Sequence, residues 1–143
     1  MEVEEASVLP EDVSALEELL ESTLLIKESS SKVSALRALI VSPEVKEEDL
    51  RVKERAFSEL LNEYVSNSDI ASITSLLVFL RPFFGVIPKA RTAKFVRSVI
   101  ESLARIPNST EAQVALCTET VEWCKVEKRS FLRLRIQLKL TQL

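Results

Sequence analysis

Glycine does most to limit the folds open to this chain. It occurs once in 143 residues, at Gly85, beside five prolines. An all-β chain needs a turn signal about every 8–12 residues, and many tight turns need glycine for positive φ. That class is therefore disfavoured. Leu, Glu, Ser, Val, Ala, Arg and Lys are the commonest residues instead, and apart from Val they suit helices joined by short polar links.

The glycine lies within LRPFFGVIPKARTAKFVRS, residues Leu80–Ser98. Arg81 precedes Pro82, which disfavours the α region, so a helix arriving from the N-terminal side is expected to stop there. Pro88, with its preset φ and missing amide hydrogen, suits the first position of a new helix. Phe83, Phe84, Val86 and Ile87 are too apolar for a solvated loop. The stretch predicts a packed elbow whose aromatics pin the helices on either side.

Around that elbow, apolar periodicity marks further helices. Residues 1–9 are expected to be a disordered acidic start, with a helical-repeat domain over 10–143. Pro10, Glu11 and Asp12 open a first helix to about Lys27, with Val13, Leu16, Leu20 and Leu24 as its stripe. Ser29, Ser30 and Ser31 break it, and Ser31 can cap a second helix that buries Val33, Leu36, Leu39 and Ile40. Acidic residues Glu44, Glu47, Glu48 and Asp49 start a third, running to about Ser66, with Leu50, Phe57, Leu60, Leu61 and Tyr64 on one side. The link Ser66–Asp69 allows only an antiparallel neighbour, which Asp69 can cap and which carries Ile70, Ile73, Leu76, Leu77 and Leu80.

After the elbow, Ala93, Val96, Val99, Ile100 and Leu103 oppose Arg91, Lys94, Ser98, Glu101 and Arg105. Ser109 or Thr110 can cap the next helix, where Val114, Cys117, Val121 and Cys124 recur, with Leu116 adjoining. The last segment alternates strictly from Leu132 to Leu140, a strand-like period. With no partner strand to pair its backbone, and with residues that favour helix, it is read as helix.

The first members of successive pairs begin near residues 11, 47, 88 and 129, close to the period of two-helix repeats. The expected fold is all-α: about seven helices in antiparallel pairs, stacked as an α-solenoid of tetratricopeptide-like type. A compact bundle is the alternative.

The net charge of −3 is unevenly spread: residues 1–28 hold nine acids against Lys27, and the remainder 13 acids against 18 bases. No apolar run approaches the ~18 residues of a membrane span, and the acidic N-terminus is unlike a signal peptide. Both suggest an intracellular protein. Cys117 and Cys124, on one helix face about 10 Å apart, are too distant for a disulfide and read as buried free thiols. The chain has no histidine, hence no usual general base or favoured zinc ligand, and one glycine cannot build a phosphate loop. No catalytic, cofactor-binding or metal-binding residue is assigned, no cofactor is expected, and an enzyme is disfavoured.

What remains is basic. Arg81, Lys89, Arg91, Lys94 and Arg97 are candidate partner-binding residues, with Arg105 beyond them. Lys125, Lys128, Arg129, Arg133, Arg135 and Lys139 form a second group. Such stripes can grip phosphates, meet an acidic protein surface or merely keep a helix face wet. Nucleic acid ranks last, since no aromatic stacking platform is interleaved.

The elbow string, with LRVKERAFSELL (Leu50–Leu61) and VEWCKVEKRSFLRLR (Val121–Arg135), resembles a known family. The matching features are Leu80-Arg81-Pro82-Phe83, Lys89-Ala90 with Lys94, Val96 and Arg97, then Glu122-Trp123 and Glu127-Lys128-Arg129 with Phe131-Leu132-Arg133. They are similar to the N-terminal part of a proteasome regulatory-particle lid subunit of the non-ATPase regulatory subunit 11 type, over roughly Leu36–Leu143, with plant-like wording at Ile87–Lys94. The resemblance implies an α-solenoid followed by a PCI domain, before which this sequence ends. It implies a non-catalytic scaffold that braces lid, ATPase ring and core particle in ubiquitin-dependent degradation. Partners would be other proteasome subunits, without membrane, in cytoplasm and nucleus. Alternatives are a scaffold of another PCI complex such as the COP9 signalosome, or a free-standing helical domain that binds protein or nucleic acid.

Overall fold

In a computed structural model that describes residues 15–143, the chain is all-α. Seven helices are present among the described residues: α1 (Ala15–Leu24), α2 (Ser29–Ile40), α3 (Glu47–Ser66), α4 (Ile70–Phe84), α5 (Lys89–Ala104), α6 (Thr110–Val126) and α7 (Ser130–Thr141). The expectations for residues 1–9, the Pro10 turn and Val13 lie outside that range. Starts of α3, α5 and α7 fall at 47, 89 and 130, the spacing of a two-helix repeat. The chain divides into two compact units, Met1–Glu63 and Tyr64–Leu143, and α3 begins in the first and ends in the second.

In the first unit α1 packs on α2, burying Leu16 and Leu20 from one and Leu36, Leu39 and Ile40 from the other. Helix α1 ends at Leu24, short of Lys27. The serine run does not separate the helices: Ser29, Ser30 and Ser31 form the first turn of α2, and Glu28 is its N-cap. Glu28 accepts from the Ser31 amide and from the Ser30 and Ser31 hydroxyls. A carboxylate satisfies the free amides of a first turn as a serine would, so the cap moves three residues upstream. These hydroxyls also hold the Glu28 carboxyl below its ordinary value.

Helix α3 buries all five predicted residues, and also Val52, Ala56 and Lys53. Lys53 is 0% exposed, and its ammonium donates to the Ser42 carbonyl in the link that follows α2. Arg55 pairs with Glu21 at 3.0 Å, and Ser29 Oγ donates to Glu63 at 2.7 Å, so α3 is tied to both preceding helices.

The second unit is built on consecutive helices. Helix α4 packs on α5, α5 on α6 and α6 most extensively on α7, while α4 also touches α6. Short links make such neighbours antiparallel, so α4 and α6 share one layer and α5 and α7 the other. Asp69 caps α4 as the sequence predicts, accepting from the Ser72 amide at 3.1 Å. With so little glycine, the left-handed positions after helices fall to Ser68, Asn108 and Lys128, at φ 51, 60 and 57. After α3 and α6 the next amide closes back on the helix, Asp69 N–H to Tyr64 and Arg129 N–H to Cys124, the six-to-one bond of a Schellman ending.

Three sequence expectations change here. Helix α4 does not stop at Arg81 but carries Pro82 inside its last turn and ends at Phe84. Proline forfeits one hydrogen bond there, and the extra turn buries both Phe83 and Phe84. Pro88 is the N-cap of α5 and not its first residue. In α6, Val114 is exposed, and Gln113 and Thr120 take buried positions beside Leu116, Cys117, Val121 and Cys124. Both polar side chains are satisfied: Gln113 donates to Ser109 Oγ at 3.0 Å and Thr120 to the Leu116 carbonyl at 2.7 Å. Ser109 itself lies 2.8 and 2.7 Å from the Leu103 and Ile106 carbonyls, closing α5 with its hydroxyl.

Residues 132–140 are helix. Their alternation separates onto two faces, with Leu132 and Ile136 buried while Leu134 and Leu138 are 58% and 64% exposed. Cys117 and Cys124 are buried free thiols, and burial raises the pKa of each.

Candidate functional site

The elbow is an aromatic junction within the second unit. Phe83 and Phe84 leave α4, Phe95 rises from α5 and Trp123 from α6. Phe83 meets Phe95 edge-on at 5.8 Å, while Phe84 lies 6.2 Å from Phe95 and 5.9 Å from Trp123. Such pairs add about 0.5–1.5 kcal/mol beyond their buried area. Ile87 is buried beside them and Val86 is 63% exposed. Gly85 has φ −74, an ordinary right-handed value, so the bend comes from the prolines and aromatics.

Two arginines close over this junction. The Arg81 guanidinium lies 6.0 Å from the Trp123 ring centroid and pairs with Glu119 of α6. Arg129 lies 5.0 Å from the same ring and donates to the Phe84 carbonyl at 3.4 Å. Cation–π contacts of this kind contribute about 0.5–2 kcal/mol. They join the α6–α7 link to the end of α4.

The five candidate binding cations are therefore not one stripe. Arg81 is half-buried and engaged with Glu119 and Trp123. Lys89 and Lys94 are exposed on α5, and Arg91 and Arg97 are half-buried. At about 100° per residue, Arg91, Lys94 and Arg97 lie within an arc of about 120° on α5, and Lys89 falls outside it. The second basic group scatters likewise: Lys125 pairs with Glu122 at 3.2 Å and Arg129 turns inward.

A different set converges. Arg97 and Glu101 of α5 and Arg135 and Lys139 of α7 line a cleft of about 160 Å³, floored by Ile100 and Ile136. Arg97 was among the candidates, whereas Arg135 and Lys139 lie some forty residues away in sequence. Their i,i+4 spacing on α7 was the available signal, but nothing linear placed them opposite Arg97.

Chemistry beyond charge is sparse. Among the described residues no group of three or more Cys, Asp or Glu side chains could hold a metal ion, and no helix is long and apolar enough to cross a membrane.

Comparison with known proteins gives a consistent outcome. Residues 15–143 match the family model described as the 26S proteasome regulatory subunit RPN6 N-terminal domain. The 26S proteasome non-ATPase regulatory subunit 11 homolog of Arabidopsis thaliana is 40% identical over 122 residues, covering 85% of this chain and 29% of that protein. The non-ATPase regulatory subunit 11 of Dictyostelium discoideum is 33% identical over 89 residues, 62% of this chain and 22% of its own length. A probable regulatory subunit rpn-6.1 of Caenorhabditis elegans is 28% identical over 109 residues, 76% of this chain and 25% of its own length. The chain thus spans less than a third of the relatives it matches. With that match running through every described helix, the chain belongs to the family of the 26S proteasome regulatory subunit RPN6 N-terminal domain.

Proposed function

We propose that this chain is a non-catalytic scaffold of the proteasome regulatory-particle lid, acting through protein–protein contacts in the degradation of ubiquitinated proteins. The family match over residues 15–143 is the observation that carries this reading. In the finer form of the proposal, the helical repeat over residues 10–143 braces lid, ATPase ring and core particle against one another, in cytoplasm and nucleus. Docking uses the α5 surface with Lys89, Arg91, Lys94 and Arg97, and Arg81 held beside it by Glu119. Two features suit such a role. The aromatic junction links α4, α5 and α6, which favours rigidity, and the surface cations are set on helices instead of loops. Trp123 is flanked by two guanidiniums, so it offers no free ring for base stacking.

Affinity purification of the tagged chain tests the proposal. Proteasome subunits should come with it, and Lys89→Glu with Lys94→Glu should reduce their recovery while helicity is unchanged. Recovery of no proteasome subunit from a well-folded chain would overturn the reading.

A further inference from the structure

We infer that the cleft between α5 and α7 is a docking site for an acidic segment of a protein partner, one that sets an apolar side chain among its carboxylates. The inference deepens the scaffold reading and rests on it for the partner being a protein.

Charge comes first. Arg97, Arg135 and Lys139 meet a single carboxylate, Glu101, in this cleft. None of the four makes a salt bridge among the described residues, although Glu101 is four residues from Arg97 on the same helix. Elsewhere in the unit Arg81 pairs with Glu119 and Lys125 with Glu122. The cleft therefore keeps a local excess of positive charge that the described part of the chain does not neutralise. Like charges gathered on facing helices repel one another, and an anionic partner relieves that repulsion. The guanidiniums of Arg97 and Arg135 can each hold a carboxylate through two parallel N–H donors.

Size and floor then choose the class of anion. About 160 Å³ is below the roughly 300–1,000 Å³ of small-molecule sites and suits one side chain. The floor is apolar, made by Ile100 and Ile136, which a leucine-sized group can touch and a phosphate cannot exploit. Glu101 stands in the cleft and repels a continuous run of phosphates, whereas separate carboxylates can be spaced around it. No aromatic side chain lines the cleft, so it lacks the stacking surface that single-stranded nucleic acid uses.

Fluorescence anisotropy on the full chain provides the test. The probe is a fluorescein-labelled peptide of repeating Glu-Leu-Glu triplets. The comparisons are the same length of Ser-Leu-Ser and a single-stranded oligonucleotide of equal charge. The acidic peptide should bind, weaken with added salt and out-compete both comparisons. Arg135→Glu combined with Lys139→Glu should weaken it about tenfold, as expected for two ionic contacts, one exposed and one half-buried. Glu101→Lys should tighten it about twofold to fivefold, a gain that a misfolded variant cannot mimic. Arg51→Glu, exposed on α3 in the other unit, should leave affinity unchanged.

Absent peptide binding, equal binding of the serine peptide, preference for the oligonucleotide, or affinity untouched by the two cleft variants would each overturn the inference. Tagged chains separate it from the scaffold reading. A wild-type chain that recovers no proteasome subunits but passes the peptide test sinks the scaffold and leaves the cleft standing. Equal recovery by wild type and the Arg135→Glu, Lys139→Glu variant, with peptide binding intact in both, sinks the cleft alone.

Discussion

Two side chains show how much a single position can hold in this molecule. Phe84 is almost completely buried and touches aromatics from α5 and α6 as well as its neighbour Phe83. Truncating such a ring leaves a cavity and costs about 3–5 kcal/mol, a large share of the ~5–15 kcal/mol that holds a domain together. Phe84→Ala should therefore melt well below the parent in a thermal scan, and Phe83→Ala should be affected in the same direction. A Phe84→Ala protein that melts with the parent would mean that the junction does not hold these helices. Lys53 makes the opposite case, a charge in a core. Burial pushes its ammonium below the ordinary 10.5, and Glu44 and Asp49 pull it partly back. The folded chain therefore sheds this proton at a lower pH than the unfolded chain. Between the two values the unfolded state binds more protons, so this group's contribution to stability rises with pH. Denaturant unfolding of wild type and Lys53→Met at about pH 7 and about pH 10 should show the difference shifting in favour of wild type at the higher pH. A difference that stays constant would place the ammonium in water.

At the scale of the element, helix ends and helix orientation are open to direct test. Lys128 sits at φ 57 after α6, a conformation that costs a non-glycine residue about 1–2 kcal/mol. Part of that is returned as backbone freedom when glycine is unfolded. Lys128→Gly should stabilise the chain by about 0.5–1 kcal/mol, raising the denaturant midpoint without changing the slope. A lower midpoint would show that Lys128 makes a contact worth more than its strain. For α7, a strand would present Leu134, Ile136 and Leu138 to one and the same side, whereas the helix separates a buried Ile136 from an exposed Leu138. Ile136→Ala should cost about 2–5 kcal/mol, and Leu138→Ala should stay within about 0.5 kcal/mol. Equal losses at the two positions would contradict the orientation of this helix.

Over the whole molecule, seven helices with no strand among the described residues lead to one simple expectation. Far-ultraviolet circular dichroism of the chain should be dominated by helical minima, and a β-dominated spectrum would overturn the fold. The uneven charge is also a property of this scale. Acids concentrate in residues 1–28 and bases in the remainder, yet the local pairing of bases with acids decides where charge stays available. Arg81 and Arg129 contribute their charge to an internal junction, and Arg97, Arg135 and Lys139 contribute theirs to a cleft.

Read alone, the amino-acid order determined the class of fold, the location of most helices, the Asp69 cap and the elbow as the place where aromatics pack. These depend on signals carried within a few residues: apolar spacing, capping side chains, prolines and one glycine. It also carried the family resemblance, through strings such as Leu80-Arg81-Pro82-Phe83 and Glu122-Trp123. Tertiary structure decided what local rules leave open. Pro82 stays inside α4 because the extra turn buries two phenylalanines. Lys53, Gln113 and Thr120 are buried because partners distant along the chain or one turn away satisfy them. Leu134 and Leu138 face outward because α7 has one face against α6. The cleft is the clearest case: Arg97 and Arg135 are neighbours only once α5 and α7 lie in one layer, and no pattern along the sequence can measure that distance.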